Sequence, residues 1–136
     1  MPYVSVVVPT YNSALFITDT LSSIINNEFQ DVEIIVVDDG SSDQTVEIVK
    51  RHPGNVKLIT QQNNGRGASR NNGVRQATGR YIAFLDHDDL LTQMSIADRV
   101  AFLDSNPDIG WVFTDAIEFD HSGDLRLFLD QFPWLD

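Results

Sequence analysis

Cysteine is absent from this 136-residue chain, which removes disulfide frameworks, thiolate nucleophiles and cysteine-ligated zinc or iron–sulfur centres from consideration. Basic residues are scarce: 9 Lys and Arg stand against 20 Asp and Glu, a formal net charge of −11. Nucleic acid and anionic membranes call for clustered cations, so neither is an expected partner. Long apolar runs are missing too. No stretch nears the ~20 residues that span a bilayer, and Met1–Tyr11 has no basic start followed by a long apolar region. The segment is therefore expected to be soluble, with no readable address. What is present is an ordinary globular composition, 42% hydrophobic and 21% charged, sufficient for one core and one domain over residues 1–136.

Apolar runs alternate with helical patterns from the start. Val4–Val8, Ile34–Val37, Val56–Ile59 and Tyr81–Leu85 are short runs rich in β-branched or aromatic residues and read as buried strands. Between the first two, Ile17, Leu21, Ile24 and Ile25 recur at helical spacing, predicting a helix from Ala14 to about Asn27. Ser41, Ser42 or Asp43 can cap a second helix that runs to about Arg51, before His52–Pro53–Gly54. A glycine-bearing stretch, Gln61–Gly67, leads into a third ending near Ala77. Thr92 can cap a fourth, with Ile96, Val100 and Leu103 on one face and Asn106–Pro107 as its stop. Trp111–Phe119 and Leu125–Leu129 around His121–Ser122–Gly123 read as a hairpin. This alternation predicts an α/β fold, a Rossmann-like and mostly parallel sheet with helices on both faces. Ligands of such sheets bind beyond the carboxyl ends of the strands. Asp38, Asp39, Asp86, Asp88 and Asp89 all follow strands directly and are expected to gather on that rim.

Four stretches on the same rim carry chemistry. Asp86–His87–Asp88–Asp89 places several carboxylates close together, a strain that a raised pKa or a divalent cation relieves. Oxygen ligands suit Mg²⁺ or Mn²⁺, which take substrate phosphates as further ligands; the plain alternative is an acidic turn that caps the next helix. His87 lies between the acids, and because successive residues alternate in direction it reads first as a polar turn residue. Asp38–Asp39–Gly40–Ser41–Ser42–Asp43 offers carboxylates to a base or a ribose, and is equally good turn and helix-cap chemistry. Both uses are compatible, with Asp39 facing a ligand and Ser41 to Asp43 starting the helix. In Pro9–Thr10–Tyr11–Asn12, Tyr11 presents a flat face for stacking a base, worth ~1–3 kcal/mol, or simply packs. Asn63–Gly73 combines glycines ahead of a helix with Arg66 and Arg70, a pattern suited to anions, or else a solvated helix face. It lacks the Gly-Lys-Ser/Thr of a Walker loop.

In this order the stretches resemble the family 2 glycosyltransferases, which have the A-type nucleotide-sugar transferase fold, and the resemblance covers nearly the whole chain. It implies that Pro9, Tyr11 and Asp39 hold the nucleobase, that Arg70 lies near the nucleotide, and that Asp86 approaches the ribose or a metal-bound water. Thr10, Asn12 and His87 are counted with these donor-binding residues. Asp88 is implied to be the direct Mn²⁺ or Mg²⁺ ligand, with Asp86 beside it. The implied reaction is metal-dependent transfer of a sugar from a UDP- or GDP-linked donor to a saccharide or lipid-linked acceptor hydroxyl, with inversion. The catalytic base of this family comes later than the segment read here. None of Asp115, Glu118 and Asp120 matches it securely, so no base is assigned. The chain is accordingly expected to be the N-terminal, donor-binding portion of a longer enzyme, cytoplasmic and attached to membrane, if at all, through other regions. Its fold is expected to be incomplete at the C-terminus, and alone it is expected to transfer poorly or not at all. Phe128, Phe132, Trp134 and Leu135 form an apolar tail for the remainder, or a second copy of the chain, to cover.

Two other classes compete. Phosphoryl-transfer enzymes of the haloacid-dehalogenase type and response-regulator receivers also use strand-end acids, but both need a lysine downstream of the later aspartate. The only lysines, Lys50 and Lys57, precede Asp86. A non-catalytic nucleotide-sugar binding module would need the same donor site and is not separable by sequence.

Overall fold

Strand β1 (Val4–Thr10) is buried at every position in the computed structural model, which describes residues 1–119 and 125–128. It lies centrally in a four-stranded sheet of order β3-β2-β1-β4, where β2 is Val32–Asp38, β3 Val56–Thr60 and β4 Tyr81–Phe84. All three pairings are parallel, with Val6 opposite both Ile34 and Ala83. Strands covered on both faces read as continuous apolar runs, which is why Val4–Val8 and Ile34–Val37 show no polar alternation. Pro9 sits within the central strand at no cost to the ladder. The backbone of Val7 faces β4, accepting a bond from the Leu85 N–H at 3.1 Å, and residue 9 faces the same way. Since β4 pairs only with Val4–Val7, the N–H that Pro9 lacks has no partner to lose.

The two faces are covered differently. Val4, Val6, Val8, Ile34 and Val36 pack with Ile17, Leu21 and Ile24 of α1 (Ile17–Ile25), Val49 of α2 (Thr45–Arg51) and Ile96 and Val100 of α4 (Ser95–Ser105). Each such side chain contributes roughly 1.5–3 kcal/mol on full burial. Val7, Ile35 and Val37 are buried on the opposite face. There α3 (Arg66–Gln76) approaches so closely that a Cβ on Gly73 would lie 2.3 Å from Val7 Cγ1. Glycine at 73 is thus a packing requirement of the helix–sheet contact.

Element boundaries differ from expectation for local reasons. Helix α1 begins at Ile17 because residues 13–16 form a turn in which the Phe16 and Ile17 N–H groups both donate to Ser13 O. Helix α2 starts at Thr45, whose N–H and hydroxyl both donate to Asp43 Oδ1, so Asp43 rather than Ser41 or Ser42 serves its start. Helix α4 starts at Ser95, three residues after the expected cap Thr92, whose carbonyl instead receives the Asn27 side chain. Of the three apolar residues expected on one face of α4, Ile96 and Val100 are buried and Leu103 is half-buried.

The chain divides into two compact units, Met1–Val100 and Ala101–Asp136. The second holds a short antiparallel pair, β5 (Ile117–Phe119) and β6 (Leu125–Leu127), narrower than the hairpin expected. Trp111 and Phe113 stack there with ring centroids 5.6 Å apart. His121–Ser122–Gly123, Leu129 and the tail residues Phe132, Trp134 and Leu135 lie outside the described residues. Among the described residues no helix is long and apolar enough to cross a membrane.

Candidate functional site

The carboxyl ends of β1, β2 and β4 deliver most of the expected residues to one place. At the end of β1, Pro9 and Thr10 are buried and Tyr11 turns outward, 46% exposed. The Thr10 hydroxyl is bonded to that of Ser13. Asn12 adopts a left-handed φ of 50°. Its Oδ1 accepts the Ser42 N–H at 2.9 Å and its own N–H donates to Ser41 Oγ at 2.9 Å, tying the β1–α1 loop to the β2–α2 loop. Asn12 is thereby occupied in holding loops together and does not line the cavity described below.

The acids after β2 are turned inward. Asp38 accepts the Ser41 N–H and hydroxyl, closing the turn at Gly40. Asp39 is 4% exposed, and its carboxylate accepts Gln61 Nε2 at 2.8 Å, Asn64 N–H at 2.9 Å and Gly65 N–H at 2.7 Å. Burial alone would raise the Asp39 pKa, but these donors, with Ser69, together outweigh it and hold the carboxyl below its ordinary range. Asp39 therefore fixes the loop that enters α3. That loop needs Gly65, whose φ of 86° is strained for any residue with a Cβ.

The acids after β4 are arranged otherwise. Asp86 Oδ1 accepts Arg70 Nη2 at 2.5 Å, a partly exposed ion pair joining α3 to the end of β4. Asp88 is exposed and Asp89 lies beside it. Burial first, then the charges of Asp88 and Asp86, push the Asp89 carboxyl up, with His87 opposing. His87 Nδ1 lies 3.3 Å from Pro9 O, so its ring lies against the end of β1. Among the described residues no three His, Asp or Glu side chains gather into a ready-made cation cage. The five strand-end acids share a rim but do not form one cluster. Two carboxylates with room for water and phosphate oxygens still fit Mg²⁺ or Mn²⁺, which rarely use an all-protein cage.

A cavity of about 230 Å³ opens at these strand ends. Pro9 and Thr10 line it from the end of β1 and Tyr11 from just beyond, Asp39 from just after β2, His87 from the turn after β4, and Arg66 and Ser69 from the first turn of α3. Of the expected donor-binding residues, it brings five together. Asn12, Arg70, Asp86 and Asp88 are not in its lining. Arg66, read with Arg70 as positive charge suited to an anion, is found in the cavity wall, whereas Gln61 as a partner of Asp39 was not singled out by sequence. The signal for Arg66 was its i,i+4 spacing from Arg70, which puts both on one helix face.

Comparison with known proteins follows the same residues. A family model described as glycosyl transferase family 2 matches residues 5–128. The poly(ribitol-phosphate) beta-N-acetylglucosaminyltransferase TarS of Staphylococcus aureus is 38% identical over 108 residues, covering 75% of this chain and 19% of the relative. A crystal structure of S. aureus TarS in complex with UDP-GlcNAc superposes with a TM-score of 0.73 at 38% identity, over 79% of this chain and 32% of that one. The mannosyltransferase PcManGT of Pyrobaculum calidifontis, in complex with GDP-Man and Mn²⁺, gives 0.71 at 32% identity, over 75% and 32%. The mostly parallel sheet with helices on both faces is thus the A-type fold of these enzymes. The chain spans about a fifth of the length of the curated relative and a third of the solved structures.

Proposed function

The chain belongs to glycosyl transferase family 2, and on that premise we propose that it forms the donor half of a glycosyltransferase site. The reaction is metal-dependent transfer of a sugar, with inversion, from a UDP- or GDP-linked donor to a hydroxyl of a saccharide or lipid-linked acceptor. The observation that carries this reading is the cavity at the strand ends, walled by Tyr11 and Asp39, with the paired Arg70 and Asp86 next in the chain to its lining residues Ser69 and His87. Relatives solved with UDP-GlcNAc and with GDP-Man support the donor class.

Each residue has a part in this scheme. Pro9 and Tyr11 bound the base, and the buried Asp39 sets the base end of the cavity by fixing the 61–65 loop. Thr10 and His87 complete the wall. Arg70 holds Asp86 toward the ribose and lends positive charge near the nucleotide. Asp88, with Asp86 beside it, would hold Mn²⁺ or Mg²⁺. When bound, such an ion stabilises the charge that develops on the departing nucleoside diphosphate. No residue here is assigned as the base that accepts the acceptor proton. We place the chain in the cytoplasm, with any membrane attachment made elsewhere.

The test is calorimetric titration of UDP and GDP with and without Mn²⁺. Metal-dependent binding of one of them, weakened at least about tenfold in Asp88→Ala, is the expected result. Failure of every nucleotide to bind would sink the reading. Hydrolysis of the matching nucleotide sugar in the same samples separates an enzyme from a binding module.

A further inference from the structure

Of the two arginines that α3 carries to the rim, one is committed. Arg70 is paired with Asp86. Arg66 opens the helix one turn earlier and is exposed; its side chain makes no hydrogen bond or ion pair with any other described residue, and the residue lines the cavity. Its backbone position is firm, because the two residues before it donate their N–H groups to the buried Asp39 carboxylate. The Ser69 N–H then closes the first turn on Gly65 O at 3.1 Å. The backbone from which this guanidinium extends is thus fixed at the edge of the cavity, and its donors are open to a ligand.

The chemistry of the cavity says which part of a nucleotide it faces. At about 230 Å³ the cavity is smaller than the ~300–1,000 Å³ that encloses a whole drug-sized ligand. It therefore takes one portion of the donor. Its walls include the Tyr11 ring and Pro9, surfaces suited to a flat heterocycle, while the exposed Asp88 and the Arg70–Asp86 pair lie outside its lining. A planar guanidinium stacks on a base or donates to its carbonyl edge, which a compact ammonium does less well.

We propose that Arg66 is a base-contacting residue of the donor site, meeting the nucleobase that also meets Tyr11. This rests on the donor-site reading above. The test compares the unmodified chain with Arg66→Ala and Arg66→Lys, binding UMP, UDP, GMP, GDP and inorganic pyrophosphate in Mn²⁺, with melting temperatures taken alongside. Arg66→Ala should weaken the mono- and diphosphate of the preferred base equally, by about tenfold, as loss of a base contact does. Pyrophosphate binding and the melting temperature should not move, and Arg66→Lys should recover little. A loss confined to UDP, GDP and pyrophosphate and restored by lysine would make Arg66 a phosphate contact and overturn the proposal. So would unchanged affinities in a protein whose nucleotide binding still depends on Asp88, and that outcome leaves the donor site standing. If the unmodified chain binds none of these nucleotides, both readings fall.

Discussion

The acids that follow β2 and those that follow β4 look alike in sequence, Asp38–Asp39 against Asp86–His87–Asp88–Asp89, and both flank the end of β1. Their environments are opposite. Asp39 is buried, and protein donors satisfy its carboxylate and hold its pKa down. After β4 the carboxylates are more exposed and repel one another, and Asp89 is pushed up. What separates them is the supply of donors. The 61–65 loop curls over Asp39 and presents two backbone N–H groups and an amide, whereas the turn after β4 offers its acids one arginine, at Asp86. A carboxylate already filled by its own protein is a structural element; one left beside other carboxylates creates demand for a cation.

The largest test of this contrast is Asp39→Asn. The substituted amide keeps the shape but turns an NH₂ toward at least one of the donors that Asp39 now accepts. Loss of charge-assisted bonds at a buried site should cost about 3 kcal/mol in urea unfolding at pH 7. Acidity gives an independent check. The folded pKa of Asp39 lies below its ordinary 3.8, so its contribution is present above that value and lost as pH falls through the folded pKa. The gap between the two proteins should therefore close below about pH 4. An unchanged urea midpoint would break the comparison, because Asp39 would then hold nothing.

How far the sequence reveals this depends on the kind of interaction. The strands and helices were legible because Val4–Val8, Ile34–Val37 and the Ile17–Leu21–Ile24 spacing are covered by nearest neighbours in a parallel sheet. The rim was legible for the same reason, since strand ends must meet there. The partition of the acids was not. Gln61, Asn64 and Gly65 meet Asp39 only because β3 returns beside β2, more than twenty residues on. Asn12 read as a ligand contact, and its bonds to Ser41 and Ser42, some thirty residues on, are set by the neighbouring β2 in the same way. Arg66 and Arg70 read alike as positive charge on one helix, and what divides them, an ion pair with Asp86 for Arg70 and a place in the cavity wall for Arg66, no local pattern encodes.

A smaller effect is expected at the junction of the two regions. The Arg70 and Asp86 side chains are 34% and 32% exposed, so their ion pair is screened by solvent despite its short contact. Asp86→Ala should lower stability by under about 1 kcal/mol, and by less at high salt. A cost as large as that of Asp39→Asn would mean that the β4 acids support the fold as the β2 acids do, erasing the distinction.

The smallest effect should carry the opposite sign. Burial and the charges of Asp88 and Asp86 raise the Asp89 pKa above 3.8, so its ionised form weighs on the folded state at neutral pH. That cost is relieved as pH falls through the raised value, the reverse of the Asp39 profile. Asp89→Asn should therefore increase stability at pH 7, and because the group is partly solvated the gain should stay under about 0.5 kcal/mol. Melting curves at pH 7 and at pH 4 measure it, and the difference should shrink at the lower pH as the native carboxyl takes up its proton. Adding Mn²⁺ at pH 7 should shrink it too, since a cation held by Asp88 and Asp86 offsets the repulsion that the substitution removes. If Asp89→Asn instead destabilises at pH 7, the run after β4 is held by donors as the run after β2 is, and the cation demand argued from its repulsion disappears with it.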